Sequence, residues 1–161
     1  MTDTAAGDTV VAWRVVAQKY AASAFDGEGA RRQGARFNSP GTAVVYASDT
    51  LALAVLEVAV HLPSYRALRG RVSFRVEVPA DLVETVAEAA LPADWRSTPP
   101  SRSTQTFGDA WARDARSAAL LLPSVLLPHH TNIVLNPGHP EFDRVAIGDP
   151  EPVPIDLRLV K

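Results

Sequence analysis

The chain has 161 residues, a formal net charge of −2 and no cysteine. That length suits one domain, and 47% hydrophobic with 21% charged residues excludes wholesale disorder. Without cysteine there is no disulfide, thiolate metal site or thiol nucleophile. A net charge near zero supplies no field for holding a polyanion.

Residues 1–10 carry no Lys or Arg and no long apolar run, so they lack the form of a secretory signal. Residues 1–12 read as a flexible N-terminus and 13–161 as one domain. The longest apolar stretch, residues 51–60, is interrupted by Glu57 and falls short of the roughly 20 residues a membrane span needs. The expectation is a cytoplasmic protein without a membrane partner.

In chain order, residues 13–17 (WRVVA) predict a first strand, and the Gly-containing stretch 18–33 predicts a loop. Ser39-Pro40-Gly41-Thr42 places Pro and Gly in the order of a type II turn, flanked by strands at 35–38 and 43–47. Ser48 and Asp49 then suit a helix cap, and residues 51–62 run helical until Pro63. On that helix Leu53, Leu56 and Val60 share a face, with Glu57 beside it and His61 one turn later.

Residues 71–78 (RVSFRVEV) alternate apolar and polar, the pattern of a half-buried strand. The Pro-rich stretch 79–102 predicts irregular structure with a helical turn near 81–86. Thr106 and Asp109 resemble a capping box opening a helix to residue 118. Short strands are predicted at 120–122 and 132–135, with edge strands at 144–147 and 155–160. Strands and helices do not alternate regularly, so the pattern points to an α+β fold with a mixed or antiparallel sheet, not a doubly wound one.

Several familiar chemistries are missing. There is no Gly-x-Gly-x-x-Gly, no Walker-type Gly-Lys-Ser/Thr and no Gly-x-Ser-x-Gly. His129 and His130 are adjacent and would point to opposite faces of a strand. With His61 and His139 they do not make a spacing that specifies a metal, and no metal is expected. Four polar residues stand in apolar settings instead: Arg36, Tyr46, Glu57 and Ser124. Buried ionised groups are costly unless paired. From the residues alone, Glu57 fits a structural ion pair with an arginine, a solvent-facing position or a reacting carboxylate. Tyr46 fits a core aromatic, and Ser124 fits a turn after Pro123.

The chain also carries an ordered series of short motifs. These are Trp13-Arg14, Gly34-Ala35-Arg36-Phe37-Asn38, Val44-Val45-Tyr46-Ala47-Ser48, Glu57 with His61, Leu91-Pro92-x-x-Trp95 and Gly108-x-x-Trp111. Leu122-Pro123-Ser124 and Thr131-Asn132-x-x-x-Asn136-Pro137-x-His139-Pro140 follow. In this order they resemble the RES domain family, named for its Arg, Glu and Ser. One departure is Phe37, where the family often has Trp; an aromatic anchor is kept.

The resemblance implies a compact, split, mixed or antiparallel sheet with flanking helices, similar to ADP-ribosyltransferases. It implies a toxin of a bacterial toxin–antitoxin pair that destroys NAD+ by hydrolysis or phosphorolysis at the nicotinamide–ribose bond. NAD+ would be the substrate, inorganic phosphate a possible co-substrate, and no cofactor would be needed. The implied partner is an Xre-type helix-turn-helix antitoxin that covers the active site, with DNA contacted only through it; a homodimer is compatible with the family. Glu57, Arg36 and Ser124 take the catalytic roles, and Arg14, Tyr46 and Asn132 the substrate-binding ones. Two other readings stay open: an ADP-ribosyltransferase acting on a macromolecule, and a non-catalytic nucleotide-binding module.

Overall fold

A computed structural model describes residues 7–160. Eight strands form one sheet in the order β4-β5-β6-β2-β1-β3-β7, with β8 also pairing β3. The strands are β1 (Thr9–Ala17), β2 (Val45–Ser48), β3 (Arg71–Pro79), β4 (Val83–Thr85), β5 (Ala119–Pro123), β6 (Thr131–Leu135), β7 (Ala146–Ile147) and β8 (Glu151–Pro152). Three α-helices accompany them: α1 (Glu28–Gln33), α2 (Leu51–Ala59) and α3 (Arg102–Asp114). Every pair is antiparallel except β4–β5, which is parallel. The sheet is therefore mixed and the class α+β, as expected. No helix among the described residues is long and apolar enough to cross a membrane.

The split in the sheet falls between β1 and β2. β1 pairs β3 over nine positions but meets β2 at one only, Trp13 opposite Ser48. Alternation gives the sheet two faces. On one, Ala12, Val16, Val45, Ala47, Phe74, Val76, Ala119, Ile133 and Leu135 join a single core drawn from both halves of the sheet. On the other, Leu120, Leu122 and Val134 pack with Phe37, Trp95 and Trp111 in a second core.

The structure revises several predicted boundaries. β1 begins at Thr9, because Thr9–Ala12 pair with β3 and Ala12 is fully buried, so residues 9–12 belong to the sheet. Residues 1–6 lie outside the described residues. The predicted loop 18–33 holds a 3-10 helix (Gln18–Ser23) and α1. Residues 35–38 make one tight bridge, Ala35 with Asn38, in place of a strand. The 39–42 turn forms as read: the Thr42 amide donates to the Ser39 carbonyl at 3.2 Å, and Gly41 sits at φ 108, where glycine is favoured. Residues 155–160 end in a 3-10 helix (Leu157–Val160), and the late strand is β8 instead.

Helix α2 starts at Leu51 as predicted, but the caps of both long helices differ from those expected. Thr50 caps α2, its hydroxyl accepting from the Leu53 amide at 3.1 Å. Asp49 is drawn away to β6. Near Pro63 the helix tightens, with the His61 and Leu62 amides bonding three residues back. α3 is capped by Ser101, five residues before Thr106 of the predicted box. Its Asp109 is committed to a different loop.

Candidate active site

α2 lies against the sheet by an unexpected face. Leu53, Ala54 and Ala59 are buried, whereas Leu56 and Val60 are 41% and 55% exposed. The buried stripe is rich in alanine, whose small side chain lets a helix approach a sheet closely. Glu57 falls three and four residues after Ala54 and Leu53, so it shares that stripe. It is half-buried, and its Oε1 accepts from Asn132 Nδ2 on β6 at 2.9 Å. Asn132 Oδ1 lies 3.4 Å from the Ser48 hydroxyl on β2, the residue opposite it in register.

Arg36 arrives from a separately built loop. Phe37 points into the second core, and Asn38 is fully buried. Asn38 Nδ2 donates to the carbonyls of Ala30 at 2.8 Å and Thr42 at 3.1 Å. Its Oδ1 accepts from the Tyr46 hydroxyl at 2.6 Å, while that hydroxyl accepts from the Phe37 amide at 3.1 Å. Helix α3 clamps the loop from outside. Gln105 Nε2 donates to the Ala35 carbonyl at 3.0 Å. The Asp109 carboxylate accepts from both the amide and the hydroxyl of Ser39. Gly108 lets the helix touch the loop backbone, for a Cβ there would stand 1.7 Å from the Phe37 carbonyl oxygen.

The result is a fixed guanidinium. Arg36 Nη1 donates to the carbonyls of Trp95 at 2.9 Å and Ser97 at 2.7 Å. Both partners are neutral, and no carboxylate among the described residues forms an ion pair with it. Burial lowers the Arg36 pKa, and the negative charge of Glu57 acts against that, so the two groups sense each other electrostatically. Burial likewise raises the Tyr46 phenol above its ordinary range, with the Phe37 amide opposing.

The six expected site residues divide. Glu57, Asn132, Arg36 and Tyr46 lie on the second-core side of the sheet, the first two bonded directly. Arg14 lies on the other face, between Ala12 and Val16 of the first core. Its Nε and Nη1 donate to the carbonyls of Ala24 at 2.7 Å and Tyr46 at 2.8 Å. It thereby spans the gap where β1 and β2 part, and burial pushes its pKa down to about 10 against the pull of Asp26. Ser124 is buried at the end of β5, where its Oγ accepts from the Leu127 amide at 3.2 Å. No hydrogen bond joins it to Glu57 or Arg36, and its own hydroxyl proton has no acceptor among the described residues.

Sequence reasoning missed Ser48, Asn38 and Asp109 as parts of this site. Ser48 and Tyr46 are two apart on one strand, so alternation alone places Ser48 on the site face. Asn38 and Asp109 carry no such signal, since their partners are backbone groups of distant loops. Two surface hollows, of about 450 and 340 Å³, lie elsewhere; neither is lined by Glu57, Arg36 or Asn132. Among the described residues no cluster of three or more His, Asp or Glu could hold a metal ion.

A tethered carboxylate and a fixed guanidinium on the same side of the sheet can steady a developing positive charge and grip an anionic group. The RES domain profile matches residues 11–156. A Sphingobium protein named Prs ADP-ribosylating toxin is 40% identical over 134 residues, covering 80% of this chain and 83% of its own. A Photorhabdus laumondii protein named Toxin Res is 31% identical over 159 residues, covering 94% and 98%. The crystal structure of the M. tuberculosis MbcT–MbcA toxin–antitoxin complex holds a chain that superposes with a TM-score of 0.72 at 20% identity, covering 91% of this chain and 85% of its own.

Proposed function

The chain belongs to the RES domain family, and on that premise we propose that it is the toxin of a toxin–antitoxin pair and breaks the nicotinamide–ribose bond of NAD+. The observation that carries this reading is the Asn132-held Glu57 carboxylate on the same side of the sheet as Arg36, a guanidinium fixed by two carbonyls and without a carboxylate ion pair among the described residues.

The chemistry asks for little more. Nicotinamide leaves with the electron pair of the nitrogen–carbon bond, departing neutral from a cation, so no strong general acid is needed. The ribose carbon left behind is oxocarbenium-like, and the Glu57 carboxylate steadies its charge. Water then adds its hydroxyl to that carbon and releases a proton, giving ADP-ribose; inorganic phosphate in its place gives the 1-phosphate. Arg36 grips the pyrophosphate with a guanidinium already fixed by two carbonyls. Ser124, buried at the end of β5, holds the turn to Leu127 and takes a supporting role. Arg14 and Tyr46 take supporting roles, because their polar groups are occupied within the protein.

The partner in this reading is an Xre-type helix-turn-helix antitoxin seated over the site, with DNA contacted through it. The solved complex of the structural neighbour, a toxin with its antitoxin, supports such a partnership. A second reading, transfer of ADP-ribose to a macromolecule, is favoured by the printed name of the 40% identical relative. NAD+ labelled in its adenylate half separates the two. Label remaining on small molecules, with nicotinamide released, supports cleavage; label on a protein or nucleic acid supports transfer. Addition of phosphate then distinguishes phosphorolysis from hydrolysis.

A further inference from the structure

We infer that Asn132 is a positioning residue for Glu57 and that Ser48 sets the orientation of its amide. This rests on the proposed reaction at Glu57. Three elements converge on Asn132: Ser48 closes β2, Asn132 stands opposite it on β6, and Glu57 reaches Asn132 from α2. Asn132 Nδ2 is 2.9 Å from Glu57 Oε1, and Asn132 Oδ1 is 3.4 Å from Ser48 Oγ.

The order of donors follows from what each group can do. An ionised carboxylate only accepts, so Asn132 must turn its amino group toward Glu57. That leaves the amide oxygen facing Ser48. A hydroxyl can donate or accept, so it adapts and donates. Protons therefore point one way, from Ser48 to Asn132 to Glu57. Ser48 is only 2% exposed, which leaves little room for water to replace its hydroxyl.

The frame around the relay is fixed. The Asp49 amide donates to the Thr131 carbonyl at 3.0 Å, and the Thr131 amide returns to Asp49 Oδ2 at 3.0 Å. These bonds hold the ends of β2 and β6 together one residue beyond the Ser48–Asn132 pair. The remaining freedom is rotation of the Asn132 amide, and Ser48 restrains it. With Oε1 tethered, Oε2 is the Glu57 oxygen without a partner among the described residues, and it is the one offered to the ribose.

The test compares steady-state NAD+ turnover by the full chain carrying Asn132→Asp, Asn132→Ala, Ser48→Ala, Ser48→Thr and the double Ser48→Ala/Asn132→Ala, with thermal unfolding alongside. Asn132→Asp keeps the shape and replaces the donor by an acceptor. It should lower kcat at least as far as Asn132→Ala, with KM within about twofold of wild type, because only the hydrogen bond differs. Ser48→Ala should lower kcat about fivefold, the scale of one hydrogen bond. It should have no further effect in the Asn132→Ala background, and Ser48→Thr should retain activity. Wild-type kcat in Asn132→Asp, or an equal Ser48→Ala loss in both backgrounds, overturns the inference while leaving NAD+ cleavage standing. A wild type that releases no nicotinamide removes the proposed reaction itself, and the inference with it.

Discussion

The Tyr46 hydroxyl donates to Asn38 Oδ1 at 2.6 Å, joining β2 to the loop that carries Arg36. Because Asn38 is fully buried, removing that donor leaves its amide oxygen without a partner. Tyr46→Phe should cost about 1–3 kcal/mol in urea unfolding at pH 7. The phenol adds a signature at high pH. Burial raises its folded pKa above the ordinary phenol value of about 10, so the native state holds its proton after the unfolded chain has lost it. The stabilisation is complete below about pH 10 and is lost as pH rises above it, with a slope of at most about 1.4 kcal/mol per pH unit. Wild type should therefore lose stability from pH 10 to 11 faster than Tyr46→Phe; equal slopes would contradict the buried, hydrogen-bonded phenol.

Arg14 behaves as a scaffold residue. Its two donors bridge the Ala24 and Tyr46 carbonyls where the sheet splits, a geometry that the single ammonium of lysine cannot copy. Arg14→Lys should destabilise by about 2–3 kcal/mol, the scale of hydrogen bonds to a charged group. The KM for NAD+ of the folded protein should stay unchanged. A raised KM at undiminished stability would return Arg14 to the substrate.

Gly108 reports the clamp between α3 and the Arg36 loop. A methyl group placed 1.7 Å from the Phe37 carbonyl oxygen must push helix or loop aside. Gly108→Ala should cost roughly 3 kcal/mol or more. Thermal unfolding checks it, and a melting temperature equal to wild type would contradict the close approach.

How much of this was legible in the residues depends on the kind of signal involved. Alternation in 71–78 predicted β3, because a half-buried strand writes its two faces into the sequence. Pro40 and Gly41 predicted their turn for the same local reason. Hydrophobicity alone does not mark the buried face of α2: Leu56 and Val60 look outward, while two alanines and Glu57 face the sheet. The Asp109 spacing suggested a cap, yet the carboxylate serves Ser39, seventy residues away. Arg36, Glu57 and Ser124 stood out as polar groups in apolar surroundings. Their partners did not, since the carbonyls of Trp95 and Ser97 have no residue signature.

Arg36 should govern affinity. Arg36→Ala removes a charge-assisted grip on phosphate and should raise the KM for NAD+ about tenfold to a hundredfold. Arg36→Lys keeps the charge without the fork and should fall between. An unchanged KM in Arg36→Ala would place the pyrophosphate elsewhere.

The central claim is that the Glu57 carboxylate carries NAD+ cleavage. The most direct measurement is free nicotinamide released from NAD+ by purified wild type beside Glu57→Gln, which keeps shape and removes charge. Wild type should release nicotinamide steadily, and Glu57→Gln should be at least about a hundredfold slower, the scale of losing one electrostatic stabiliser of the transition state. Equal release by the two proteins, or none by wild type, would contradict the account.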